Sequence, residues 1–510
     1  MAVRENPPVN GQPPTPASTP QIEVRNPVTG ERIGTVPIFS AEQVRAAVQK
    51  ARAAQPAWNA LGVKGRGRLI RRWADAMWDS QVEFIRILRS ETGKTEPNGY
   101  NEVAVIDNTV GYYYGHAARI LRPQRRSTFL PFVYKATVYH EPYGVVGAIT
   151  PWNYPYLNLL IDVIPALFAG NAVVIKPSDV TPFTAQYAID KMHECGIPRD
   201  VIQLVNGRGD TGRALIDEVD CITFTGSTGV GKQIALRCAE RMIPCTLELG
   251  GKDAMIVLND ADLDQAALSA VRGGLENAGQ ACVGVERIYV EEGAYDAFVE
   301  KLRSHMNQMI CCADDGFGVH MGSMTNAREV ERVEAHLQEA VERGAQVLAG
   351  GYRLEDKGPL FFAPTLLTGI THDMRVMREE TFGPLLPVMK VRDAEEAIRL
   401  ANDSPYGLSG SVFSRNERRA VEIARRMHAG DVSVNGTQLF FLSAASTMGG
   451  FKESGLGRRG GPEGILRYVQ TQTIVADRLP IKNTDYILAN RRTRLAFSLV
   501  RRLRKIIPTI

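Results

Sequence analysis

"CITFTGSTGVGKQIALRCAERM", residues 221–242, decides the fold. A β-branched run over 221–225 enters a glycine turn, and a segment of helical character follows from Val230. That strand–turn–helix order is the unit of a parallel α/β sheet. Gly226, Gly231 and Lys232 stand where the nucleoside-triphosphate loop G-x-x-x-x-G-K-[ST] needs them, but the hydroxyl that would hold Mg²⁺ is replaced by Gln233. A helix start still offers backbone N–H groups to an anion. Without the metal-binding hydroxyl, a pyrophosphate fits this turn better than the γ-phosphate of ATP.

Working outward, "NAVVIKPS", "VIQLVNG" and "DAMIVLN" are further short strands set between helical stretches. "VIQLVNGRGDTG" carries G-x-G-x-x-G at Gly207, Gly209 and Gly212. The acid expected about 20 residues later in a dinucleotide fingerprint is missing, so this pattern alone is first a strand-to-helix turn. A second alternating series follows residue 282: "ERIYVEEG", "AQVLAGG", "PLLPVMKV", "GLSGSVFS" and "DVSVNG". Helical spacing predicts helices over 41–58 and 65–93, and 132–150 reads as strand. The economical architecture is two α/β domains with a changeover near 250.

Bulk properties set the limits. A chain of 510 residues, 44% hydrophobic, has the size of a two- or three-domain enzyme. A net charge of +4 is too slight to point to nucleic acid. Seven cysteines form no C-x-x-C pair and no zinc spacing, so free thiols in a reducing, cytoplasmic setting are expected, with no metal. Residues 1–20 are Pro-rich and polar, expected as a disordered lead-in rather than a signal peptide. No apolar run reaches the roughly 18 residues of a membrane span.

Several motifs occur in one order: "TPWNYP" (150–155), "KPSDVTP" (176–182), "FTGS" (224–227), "LELGGKD" (247–253), "GQAC" (279–282), "EETFGP" (379–384) and "GGFKESGLGR" (449–458). Together they resemble the NAD(P)⁺-dependent aldehyde dehydrogenase superfamily over about 22–476, and within it bacterial enzymes labelled succinate-semialdehyde dehydrogenases. The resemblance implies an α/β fold with a Rossmann-like cofactor domain (21–123 and 143–250), a catalytic domain (251–466) and oligomerisation strands (124–142 and 467–477). A homodimer or homotetramer is then expected.

The chemistry can be rebuilt from residue types. An aldehyde releases hydride only after a nucleophile has made it tetrahedral, and a thiolate suits that task. Cys282 alone among the cysteines lies in a glycine-flanked polar turn, whereas most free cysteines are inert core residues. By resemblance Asn153 offers an amide to the oxyanion, and Glu248 is the base that activates water against the thioester. Glu248 could instead be a surface carboxylate, but an apolar strand before two glycines is a poor place for an idle charge.

For the cofactor, the resemblance places Gly226 and Ser227 at the pyrophosphate, and implies that Val230, Phe224 and Gly209 are also cofactor-binding. Lys176, Ser178 and Asp179 match the adenosine-ribose site; a carboxylate there favours NAD⁺, with NADP⁺ still tolerated. Thr150, Pro151, Trp152, Leu249, Gly250, Glu380 and Phe382 match the nicotinamide side, although Trp152 and Phe382 would also serve as plain core packing.

Two other readings share much of this pattern. A CoA-acylating dehydrogenase would keep Cys282 but needs no water-activating base, and a retired enzyme used as a binding protein would be free to lose Cys282, Glu248 and Asn153. For the substrate, the arginine that often pairs with a distal carboxylate six residues after Pro155 is here Ile161, followed by Asp162. With the apolar "TQLFFLS" (437–443) on the expected opposite wall, an uncharged aliphatic or aromatic aldehyde is expected, and succinate semialdehyde is the alternative. The extension 478–510 carries six arginines and one lysine between 491 and 505, with Leu495, Leu499, Leu503 and Ile507 on one stripe. It reads either as a basic helix lying on a membrane surface over 491–507 or as a helix packed on protein.

Overall fold

The computed structural model describes residues 20–128 and 133–478, together with positions 495, 498, 499, 501, 502 and 505 of the tail. The chain is an α/β protein with two large sheets. The first has six strands in the order Gly455–Leu456, Cys245–Glu248, Cys221–Thr225, Val145–Ile149, Ala172–Lys176, Ile202–Leu204. All its pairings are parallel except that of Gly455–Leu456. The chain runs outward from Val145–Ile149 on one side, then returns to lay Cys221–Thr225 on the other. The connections after these two strands therefore diverge and leave a crevice at their carboxyl ends, the position where such sheets take ligands.

The second sheet has seven strands in the order Gln346–Ala349, Thr365–Thr368, Leu385–Val391, Val285–Glu291, Asp253–Val257, Ser409–Phe413, Asp431–Val434. Only the edge strand Gln346–Ala349 pairs antiparallel. The continuous apolar runs of the sequence are central strands covered on both faces by helices. Ala172–Lys176, Cys221–Thr225 and Asp253–Val257 are buried at every residue. The helix Pro155–Ala169 is likewise buried along its whole length, and it lies between the first sheet and the helix Glu96–Ile120.

Three expectations change in detail. The stretch 65–93 forms two helices, Gly62–Asp79 and Gln81–Thr92, the second ended by Gly93 at φ +72°. The run 132–150 is two strands, Tyr134–Pro142 and Val145–Ile149, because Gly144 at φ +126° turns the chain out of one sheet into another. The late strand Val469–Asp477, expected only as an oligomerisation strand, pairs antiparallel with Tyr134–Pro142 of its own chain along its full length. With Gln124–Arg126 these form a third, three-stranded sheet whose last strand is exposed from Gln470 onward.

Among the described residues no helix is long and apolar enough to cross a membrane, and no group of His, Cys, Asp and Glu could hold a metal ion. The lead-in 1–19 and most of the tail helix expected over 491–507 lie outside the described residues. Leu495 and Leu499, which are described, are helical and exposed.

Candidate functional site

The crevice of the first sheet gathers the residues expected around a dinucleotide. Thr150, Pro151, Trp152 and Asn153 follow the strand ending at Ile149, and Lys176 ends the next strand, ahead of Ser178 and Asp179. Gly209 opens the helix Gly209–Glu218; Phe224 lies in the strand before Gly226 and Ser227; Val230 is in the first turn of the helix Thr228–Arg241. Ser227 makes no side-chain cap bond to that helix, so the first N–H groups remain available to an anion. Lys232 pairs instead with Glu453 at 2.9 Å on the surface, which removes it from the phosphate position.

The Lys176 ammonium is buried and donates to the carbonyls of Pro177 (2.8 Å) and Gly207 (3.1 Å). Burial lowers its pKa to about 8 against the pull of Asp179. Asp179 itself sits 3.4 Å from the exposed Arg208. On the far side of the crevice Leu249 and Gly250 follow Glu248, and a Cβ at Gly250 would lie 2.6 Å from a carboxylate oxygen of Glu380. Glycine is required there because Glu380 also accepts the N–H of Gly251 at 3.1 Å. Phe382 is held in the left-handed region, φ +57°, by Glu286, which takes the N–H of both Thr381 and Phe382 at 2.8 Å. These observations fit NAD(P)⁺: an uncapped helix start for the pyrophosphate, a carboxylate at the ribose, and an aromatic corner for a flat ring.

Cys282 enters the same region on a turn built from three successive left-handed residues, Asn277 (φ +51°), Ala278 (φ +56°) and Gly279 (φ +74°). Two of these are not glycine, and such strain persists only where neighbours enforce it. Here Gln280, fully buried, donates to Asn277 O at 2.8 Å and accepts Thr325 N–H at 2.9 Å. Asn153 is fixed against this turn: its side-chain amide donates to Gln280 O at 3.0 Å, and its carbonyl accepts Asn277 Nδ2 at 2.9 Å. The half-buried Cys282 thiol is pushed up to about 12 by burial, with Arg459 opposing and Asp253, Glu380 and Glu248 adding to the rise.

Glu248 ends the strand Cys245–Glu248 and is 4% exposed, and one of its carboxyl oxygens has no hydrogen-bond donor. Burial raises it to about 7, with Arg459 the main opposing charge. A carboxyl group that changes protonation near neutrality, next to a thiol, is suited to move protons.

Cys282 and Glu248 open on a cavity of about 620 Å³ whose walls include Ile161, Tyr154, Leu157, Phe441 and Leu442. Ile161 and part of the 437–443 stretch line it as expected, but Asn101, Asn108, Asn158 and Gln438 make its wall mixed rather than apolar throughout. Asp162, expected as a free anion beside Ile161, is instead buried and paired. Arg459 donates to it at 2.9 and 2.7 Å, Arg467 also bonds to it, and its pKa is held near 2 by these two cations against burial. The sequence reading missed Arg459, and with it the one cation among the described wall residues.

It also missed the support beneath Asn153. Lys94 and Glu102 form a fully buried pair; Lys94 Nζ donates to Asn153 O at 2.9 Å, and Glu102 accepts the N–H groups of Tyr156 (3.1 Å) and Leu157 (2.9 Å). A carboxylate thus caps the helix Pro155–Ala169, whose own Tyr154 supplies no cap. Glu102 lies mid-helix and carries no local motif, so only the fold brings it here.

A doubly wound crevice, a thiol on a strained turn and a buried carboxyl group define a dinucleotide-dependent dehydrogenase. The chain belongs to the aldehyde dehydrogenase family, whose profile matches residues 15–474. It is similar to a Mycolicibacterium smegmatis protein named "putative succinate-semialdehyde dehydrogenase", with NADP(+) in its name, 41% identical over 453 residues and 88% of each chain. It is also similar to a Pseudomonas aeruginosa glutarate-semialdehyde dehydrogenase, 37% identical over 88% of this chain and 92% of that one. Among solved structures, an E. coli NADP-dependent enzyme matches with TM-score 0.87 and 34% identity over 90% of this chain and 95% of that chain. Betaine aldehyde dehydrogenase from Staphylococcus aureus in complex with NAD⁺ matches with TM-score 0.86 and 33% identity over 90% of this chain and 92% of that one. The protein is an NAD(P)-dependent oxidoreductase acting on aldehydes.

Proposed function

We propose that the protein oxidises an uncharged aliphatic or aromatic aldehyde to its acid, with Cys282 as nucleophile, Asn153 as oxyanion donor and Glu248 as base. Cys282 releases its proton to solvent, its sulfur bonds to the aldehyde carbon, and the carbonyl π electrons move onto the oxygen as an oxyanion. The side-chain amide of Asn153, already fixed by its bond to Gln280 O, and the Cys282 N–H face the oxyanion. NAD(P)⁺, when bound, supplies the hydride acceptor, and the acyl group stays on Cys282 as a thioester. Glu248 takes a proton from water, the hydroxide adds to the thioester, and the acid leaves as the thiol is restored.

The observation that carries this reading is the orphaned, buried Glu248 carboxyl group sharing one cavity with Cys282. A CoA-acylating enzyme would have no use for a base held there. The apolar side chains of the wall favour an uncharged substrate, because an unpaired carboxylate among them is costly. One observation favours the second reading, succinate semialdehyde: Arg459 lies on the wall. Its guanidinium is committed to Asp162, so it adds little free charge. Asp179 favours NAD⁺ over NADP⁺.

An initial-rate screen of aldehydes with NAD⁺ and NADP⁺, with and without CoA, tests the whole reading. Free acid formed without CoA is expected. A kcat/KM for succinate semialdehyde well above those for hexanal and benzaldehyde would overturn the substrate class. The three-stranded sheet further supports a homodimer or homotetramer, and the basic tail supports peripheral contact with an anionic membrane.

A further inference from the structure

The aldehyde cavity holds a carboxyl group that the chemistry above does not use. Glu276 lines it six residues ahead of Cys282, where the helix Leu263–Leu275 ends and the strained turn begins. Asn98 Nδ2 donates to it at 3.2 Å, and Asn101 and Tyr154 also hydrogen-bond to it. Among the described residues no cation stands within ion-pair distance of it. Burial raises its pKa; Lys94 opposes this through space but bonds to Glu102 and to Asn153 O.

The other charges of the wall are engaged elsewhere: Glu102 with Lys94, Arg459 with Asp162, and Glu248 in proton transfer. Glu276 is therefore the wall carboxyl group left to meet a polar group of the substrate. A second carboxylate beside it in this cavity would be repelled or forced to take up a proton. A hydroxyl or ammonium group would find an acceptor already oriented by two amides.

We infer that Glu276 is the specificity-determining residue of the cavity: it disfavours aldehydes with a distal carboxylate and favours those with a distal hydrogen-bond donor or cation. This inference rests on the aldehyde-oxidising reading of Cys282 and its cavity, and it adds cationic aldehydes to the uncharged class proposed above.

The test uses the full-length enzyme and four butanals that differ only at C4, bearing methyl, hydroxyl, trimethylammonium or carboxylate. Wild type is expected to show kcat/KM about tenfold or more lower for the carboxylate than for the hydroxyl compound, the scale on which an unmatched polar contact acts. Glu276→Gln and Glu276→Arg should raise the carboxylate-to-methyl ratio about tenfold, chiefly through KM. A stoichiometric NADH burst in each variant shows that its site is assembled. Unchanged ratios in variants that retain the burst would overturn the inference. If neither variant keeps the burst, the wild-type series decides, and a carboxylate compound turned over as well as the hydroxyl one would overturn it. No NADH from any of the four would instead overturn aldehyde oxidation itself, a separate and recognisable failure.

Discussion

Trp152 and Phe382 meet edge to face, ring centroids 5.6 Å apart at 88°. Trp152 follows a strand of the first sheet and Phe382 precedes a strand of the second. The contact therefore ties a loop of the first sheet to a loop of the second.

Cys282→Ala should lower oxidation by at least about a thousandfold, the scale of losing a nucleophile, with NAD⁺ affinity by calorimetry unchanged. Glu248→Gln should still give one NADH per site in a burst but stall steady turnover. Because burial places the Glu248 carboxyl near 7 and a base works deprotonated, kcat should rise with pH up to about 7 and level above it. Wild-type turnover by Glu248→Gln would rule out the assignment.

Cofactor choice should turn on position 179. Replacing Asp179 by Ser removes the charge that meets a 2′-phosphate and leaves Arg208 unopposed. The ratio of kcat/KM for NADP⁺ to that for NAD⁺ should rise about tenfold. An unchanged ratio would show that the ribose is read elsewhere.

Asp162 should be worth more to the fold than to the substrate. Asp162→Ala leaves Arg459 and Arg467 buried without their carboxylate, which costs about 3–5 kcal/mol in urea unfolding. Its pKa, near 2 in the folded chain, lies below the usual carboxylate value. This contribution is therefore full at neutral pH and is lost as pH falls from about 4 through 2. A loss below about 1 kcal/mol would mean the two arginines find other acceptors.

Light scattering should return a dimer or tetramer rather than 56.1 kDa. Ile474 and Val475 are exposed on the strand Val469–Asp477. Aspartates at both positions should shift the population toward monomer if that strand joins subunits. A monomeric wild type would remove the assembly reading.

Flotation with anionic and neutral vesicles should distinguish the full chain from one ending at Asp477. Binding of the full chain alone, and only to anionic vesicles, is expected from a basic helix at a headgroup surface. Equal behaviour of the two proteins leaves the tail as a packing element.

How far the sequence could be read follows from distance along the chain. Ala172–Lys176 and Cys221–Thr225 were legible because central parallel strands are continuous β-branched runs. Cys282, Glu248 and Asn153 were legible because each sits in a compact motif. Glu102 had no such signal, being one acid within a 25-residue helix. Arg459 and Asp162 are 297 residues apart, and neither alone announces a buried pair. The misread of 132–150 came from one glycine, since alternation does not reveal which sheet a strand joins. Gly455–Leu456 is too short for any periodicity to register.

That two-residue strand has a consequence for how the molecule is made. Gly455 and Leu456 pair with Glu248 and Leu247, so the strand bearing the proposed base keeps an open edge until nearly nine-tenths of the chain exists. An emerging polypeptide can assemble most of the nucleotide-side sheet early, yet Glu248 is enclosed only when the late segment comes home. A fragment ending near residue 250 would thus present the strand of Glu248 as a bare β edge, prone to pair with copies of itself. The first sheet is therefore not complete within the first 250 residues, because Gly455 and Leu456 supply its last edge.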